Sequence, residues 1–376
     1  MIIHQNTGTT SKDKGRTIFD LHSSPRFFYS LPFLTKLPDC IKRQRLSFFS
    51  TPTPITYWCA ISILSWSCWL GTLPRAFQKA VAVCVVRGKL TSNQTVSKER
   101  GTILERALVP HRWFCHFYLA GIFWTSALIV GITATTYLKE RKHSSSNWDV
   151  ELVSLTSYVS CVYHALQHTL EASSEQATVF ILLGLFLLHC VRRLWECHYV
   201  SIFSPSSRMH LGAYIFGQTY YLLAALSLGL SQLPFRDTST NAPWLTISRL
   251  LGVLTFAQGS LHQHRCHRIL ATLRSSRPAL TDKTPARKPS TTDEGQVYKI
   301  PCGDWFDFLS CAHYTAEVVI YIGLLIVAGA ASLSVWMMIF SVVGNLGLAA
   351  GLTHRWYLSH ISSYPKNRKA FIPYVY

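Results

Sequence analysis

The run WFCHFYLAGIFWTSALIVGITATT, residues 113–136, holds no Asp, Glu, Lys or Arg. A helix needs about 20 mostly apolar residues to cross the roughly 30 Å hydrocarbon layer of a membrane, and this run supplies them. Working outward, six more runs of similar character appear, at 55–73, 177–199, 209–232, 244–262, 313–333 and 334–352. Gly, Ser and Thr recur inside them, as suits helices that approach one another closely in lipid. Only 14% of the 376 residues are charged, against about 25% in soluble domains, so a soluble helical protein could not cover this many apolar runs. The expected fold is an all-α integral membrane protein, a bundle of about seven transmembrane helices.

Net charge is +18, which raises the question of nucleic acid. The cations lie mainly in the 1–2, 3–4 and 5–6 connections and the C-terminal segment, so nucleic acid is not the expected partner. The positive-inside rule places those segments in the cytosol. The basic first 50 or so residues fall on the opposite side and oppose that pattern. Residues 1–54 read as a polar, disordered extension, and 275–297 as a flexible cytosolic insertion. No cleavable leader is visible, which leaves the first span as the insertion signal. The sequon Asn93-Gln94-Thr95 falls on the cytosolic side of this topology, where it would go unused. The eleven cysteines form no CxxC pair and read as small apolar fillers.

Polar side chains inside spans are expensive and mark sites better than loop residues do. Four clusters stand out: HRWFCHFY (111–118), LHCVRRLWECHYV (188–200), HQHRCHRILATLR (262–274), and YKIPCGDWFDFLSCAHYTAE (298–317) with THRWYLSHISSYPKNRKAFIPYVY (353–376). Arg192 and Glu196 stand at i,i+4 and can pair. His262, His264 and His267 resemble metal ligands, but no carboxylate or cysteine stands at metal spacing, so no metal is expected. The plain alternatives are anchoring arginines and belt aromatics. Against them, three of the clusters converge on the cytosolic mouth, where Arg192, Arg193, Arg265, Arg268, Arg274, Arg355, Lys366 and Arg368 would form a collar for phosphates. Aromatics interleaved with the collar would stack on flat rings. No GxGxxG is present, so a nicotinamide cofactor would be held by helices.

At these same residues the chain resembles the steroid 5α-reductase family, most closely its polyprenol reductase branch. The carrying motifs are HFY, RRLWECHYVSIFS, HQHRCHRILATLR, IPCGDWFDFLSCAHYTAE and SYPKNRKAFIPYVY, spread over about 100–376. The resemblance implies a seven-helix endoplasmic reticulum enzyme using NADPH to reduce a C=C bond conjugated to a carbonyl. In this branch the substrate is a polyprenal, a long isoprenoid lipid on the way to dolichol. The same fold also serves 3-oxo-Δ4-steroids and trans-2-enoyl-CoA. The resemblance implies that Tyr118 and His116 are the proton-donor candidates, with His354 joining the catalytic set. Arg192 and Arg193 are expected to face the cofactor phosphates, and His267, Arg274, His313, Glu317, Tyr357, Tyr364 and Arg368 complete the cofactor site. His313 stands in place of the more usual asparagine, and His267 where relatives often carry an acid. The tail is expected to fold back over the mouth, with Arg368 near the phosphates or pinned to an acid such as Glu317.

Overall fold

The computed structural model describes residues 52–69, 72, 74, 107–144, 174–204, 207–232, 246–275, 299–329 and 332–376. Residues 1–51 of the extension, the sequon at Asn93 and residues 276–297 of the insertion lie outside the described residues, while 52–54 and 275 belong to helices. Seven long helices appear among those described: α1 (Pro52–Trp69), α2 (Cys115–Ser144), α3 (Ser174–Tyr199), α4 (Leu211–Gly229), α5 (Ile247–Ser275), α6 (Ala312–Ala328) and α7 (Leu333–His360). Each coincides with one of the seven apolar runs. Two short strands, β1 (Leu108–Pro110) and β2 (Arg208–His210), and 3-10 turns at His111–Phe114 and Asp304–Asp307 complete the described elements.

The expectation of seven spans is met only in part. Among the described residues, four helical stretches are long and apolar enough to cross a membrane: 111–136, 175–199, 211–229 and 333–360. Helix α6 is apolar but has only 17 residues. In α1, prolines, serines, threonines and tryptophans dilute the aliphatic content. Helix α5 runs well past residue 262, and its second half, HQHRCHR, is polar. The chain is thus a multi-pass membrane protein built as a helical bundle.

Local chemistry fixes the helix ends. Pro52 opens α1, where a missing N–H is harmless. His210 caps α4, its Nδ1 accepting from the Gly212 N–H at 3.1 Å. Gly329, at φ +76°, ends α6 in the left-handed conformation that glycine adopts without penalty. Helices α5 and α6 approach most closely through glycines. A Cβ on Gly252 would stand 2.8 Å from the Gly323 carbonyl, and one on Gly259 2.9 Å from the Ala316 carbonyl. Only small residues permit that approach.

The starts of α2, α4 and α6 and the ends of α3, α5 and α7 share one face. Antiparallel β1 and β2 pair Leu108 with His210, joining the starts of α2 and α4. Arg274 near the end of α5 donates to the Ile202 carbonyl just past α3 at 2.6 Å. His354 on α7 lies 2.6 Å from the Ser310 hydroxyl just before α6. Below this face, Trp58, Leu182, Leu183, Phe186, Leu228 and Met338 form part of a fully buried core.

Candidate active site

One carboxylate organises the ends of α3 and α5. Glu196, fully buried, accepts from Arg192 at 2.5 Å and from Arg193 on its own helix, through the i,i+4 and i,i+3 spacings. It also faces two histidines of α5, His264 at 3.0 Å and His267 at 2.7 Å. A buried charge persists only when paired and hydrogen-bonded, and this one is surrounded by four partners. A second carboxylate, Glu317 of α6, accepts from Gln263, and His189 lies 3.4 Å away. Arg192 joins the two groups by donating to Gln263 at 2.5 Å.

Arg193 looks the other way as well. Its Nε and Nη2 donate to the Tyr118 hydroxyl at 3.1 and 2.9 Å. A phenol oxygen that accepts two N–H groups still has its own O–H to give. Tyr118 and Arg193 line a cavity of about 130 Å³ together with Gln263, His267, His313 and Glu317. The lining also takes in Trp58, Ile61, Phe216, Val342 and Leu346, with Ser341 and Asn345 among them. A wall of both polar and apolar side chains suits an amphipathic lipid.

The tail forms a second polar cluster on the same face. The Tyr364 hydroxyl donates to Ser310 at 2.6 Å, and Ser310 pairs in turn with His354. Burial pushes the Tyr364 phenol above its ordinary value, so it is a donor at neutral pH. Its ring stacks on Tyr357 with centroids 4.8 Å apart. Backbone bonds hold the tail against the segment before α6: Lys369 N–H to the Phe308 carbonyl at 3.0 Å, and Ser310 N–H to the Lys369 carbonyl at 2.8 Å. Arg368, 6% exposed, donates to the Pro301 carbonyl at 2.7 Å and lies over the Tyr364 ring. Its Nε has no partner, and no carboxylate among the described residues pairs with it.

The candidate residues therefore divide. Tyr118, Arg193, His267, His313 and Glu317 come together around the cavity. His354, Tyr357, Tyr364 and Arg368 come together under the tail. His116 does neither, because its place two positions before Tyr118 turns it toward Tyr214, whose hydroxyl lies 3.1 Å from its Nδ1. The expected cationic collar also splits. Arg192 and Arg193 are spent on Glu196, Gln263 and Tyr118, and Arg274 on a carbonyl, while Arg265, Arg268, Arg355 and Lys366 are exposed. Arg368 does not reach Glu317, because the tail carries it to Pro301 instead. The three histidines of α5 all face carboxylates, His262 meeting Asp304 at 2.7 Å. That pairing joins two elements with a long connection between them, which linear spacing cannot reveal.

Gln263 and Ser310 were not singled out from sequence. Gln263 could have been, as a neutral amide inside a basic helical run. Ser310 carries no comparable mark, since its role depends on the tail folding back.

Comparison with known proteins adds the lineage. Residues 215–376 match the family model described as 3-oxo-5-alpha-steroid 4-dehydrogenase. Polyprenal reductase 1 of Oryza sativa subsp. indica is 35% identical over 301 residues, covering 71% of this chain and 79% of that protein. Polyprenal reductase 2 of Arabidopsis thaliana is 33% identical over 315 residues, 74% and 86% of the two chains. The Homo sapiens polyprenal reductase is 32% identical over 282 residues, 71% and 78% of the two.

Proposed function

Because the chain belongs to the steroid 5α-reductase family, in its polyprenal reductase branch, we propose that it saturates the C=C bond conjugated to the aldehyde of a polyprenal, with NADPH as cofactor. It works in the endoplasmic reticulum membrane, as a seven-span bundle whose C-terminal segment and cofactor mouth face the cytosol. Its product feeds dolichol synthesis and, through it, N-glycosylation. The single observation that carries the reading is Tyr118, doubly hydrogen-bonded by Arg193 on the wall of a cavity lined by both polar and apolar side chains.

NADPH, when bound, supplies the hydride that the β-carbon of the enal requires. The residues present fit such a group. Arg368 is a buried guanidinium with an unpartnered Nε and no carboxylate, an arrangement that an anionic phosphate would complete. His313 lines the cavity with its Nδ1 unpartnered and can bond an amide. A cavity of about 130 Å³ is below the 300–1,000 Å³ of whole-ligand pockets, so only the reacting ends of cofactor and lipid enter it.

The chain's own contribution is electrostatic. Tyr118 offers its free O–H to the aldehyde oxygen as negative charge grows there. The Arg193 guanidinium stabilises the charge left on the phenol oxygen when that proton moves. Glu196 keeps Arg193 aimed, and the pair adds no net charge to the cavity wall. Glu317 and His189 orient Gln263 and Arg192 in the same fashion. His116 and His354 lie off the cavity lining, so the proposal rests the proton transfer on Tyr118 alone.

A steroid substrate is the second reading, because the matching family model carries that description. Purified protein given NADPH with polyprenal, testosterone or a trans-2-enoyl-CoA separates the two. Saturation of polyprenal in preference to the others is expected. If only testosterone is reduced, the steroid reading replaces this one. Cells lacking the protein should accumulate polyprenol and lose dolichol.

A further inference from the structure

The last six residues, FIPYVY, form a compact loop with an unusual surface. The N–H groups of Phe371 and Ile372 donate to the main-chain carboxyl oxygen of Tyr376, and those of Val375 and Tyr376 to the Ile372 carbonyl, at 2.7 to 3.2 Å. Thr315 of α6 donates to the Phe371 carbonyl at 2.6 Å. The loop is thus closed on itself and pinned to α6. Phe371 is buried with Cys311, Ala350 and Ala370, and Tyr376 packs against that cluster. In contrast, Tyr374 is 85% exposed, Val375 73% and Ile372 38%. Tyr374 also holds φ +65°, a conformation rare for a non-glycine residue, which turns its ring outward.

The level of the loop along α7 identifies what those side chains meet. The Tyr376 hydroxyl lies against Gly351, so close that a Cβ there would collide with it. Gly351 stands nine residues before the end of α7, about 14 Å down the helix at 1.5 Å per residue. It is also where the apolar part of α7 stops, with Thr353, His354 and Arg355 following. Thr315 marks the equivalent level at the start of α6. The loop therefore lies at the boundary between hydrocarbon and headgroups, where the apolar stretch of α7 gives way to polar residues. Exposed Lys366, Lys369 and Arg355 stand beside it on the aqueous side. Tyrosine at the interface, aliphatics below and lysines above is the arrangement of a lipid-seated segment. Its closed hydrogen bonds suit a place where water is scarce.

We infer that residues 371–376 are a membrane-interface anchor. Tyr374, Val375 and Ile372 insert between the lipids of the adjacent leaflet, and Lys366 and Lys369 meet anionic headgroups. The anchor is carried by the same tail that holds Tyr364 and Arg368, so the leaflet helps to keep that tail in place. This inference rests on α7 crossing the membrane and is independent of the reaction.

The test places the photo-crosslinking residue p-benzoylphenylalanine at Tyr374, at Val375 or, as control, at Lys366 of the full chain. The protein is reconstituted in phosphatidylcholine vesicles containing phosphatidylserine, irradiated, and read by mass spectrometry. Lipid adducts at positions 374 and 375 should exceed those at 366, as expected for side chains at the acyl boundary. Equal or fewer adducts than at 366 would overturn the proposal, as would crosslinks from 374 and 375 to a second copy of the chain.

Discussion

Arg193 and Arg368 are almost equally buried, 8% and 6% exposed, yet their surroundings are opposites. Arg193 faces a carboxylate, a phenol and a histidine, all from helices fixed in the bundle. Arg368 has a carbonyl, a thiol and a ring face, supplied by the tail and the loop it covers. One charge is balanced within the protein and the other is not. The balanced arginine is suited to positioning a reacting group, and the unbalanced one to receiving an anion.

The comparison can be broken in several places. Tyr118→Phe keeps the ring but removes the hydroxyl that Arg193 holds; kcat on polyprenal should fall by about 10²–10⁴-fold, the range of a lost proton donor, with NADPH binding retained. Unchanged turnover would remove Tyr118 from the chemistry. Glu196→Gln strands two guanidinium groups in a buried site, and denaturant unfolding should record a loss of about 3–5 kcal/mol. A near-neutral result would mean that solvent or lipid headgroups reach the cluster.

Arg368→Gln takes away a charge with no carboxylate to strand. NADPH affinity, measured by titration calorimetry, should drop about tenfold or more, near 1.4 kcal/mol per decade, with unfolding affected less than in Glu196→Gln. Equal affinity would show that the anion goes elsewhere. The smallest effect belongs to His116→Phe, which loses only its contact with Tyr214: turnover should stay within about twofold and stability within about 0.5–1.5 kcal/mol, the worth of one hydrogen bond. A large loss of turnover would restore His116 as a donor.

Much of the bundle was legible because hydrophobic run length is a local property: all seven runs are helices among the described residues. Their fitness to cross a membrane was less legible, since α5 continues as a polar helix where the apolar count stops. Several candidate residues do come together, Tyr118, Arg193, His267, His313 and Glu317 around one cavity. Arg192 and Arg193 stood out, and the pairing of Arg192 with Glu196 followed from helical spacing. Their partners Gln263 and Tyr118 did not follow, because those contacts cross between helices. Gln263 and Ser310 acquire meaning only through contacts across 54 residues, the separations from Glu317 and from Tyr364.

The spacing of Arg192, Arg193 and Glu196 has a consequence for biogenesis. Helix α3 leaves the ribosome well before α5, and these three of its four charged side chains would reach the bilayer without His264, His267 or Gln263. The i,i+3 and i,i+4 pairs allow α3 to neutralise most of that charge by itself, lowering the cost of insertion. What arrives later then docks onto a polar patch that already exists.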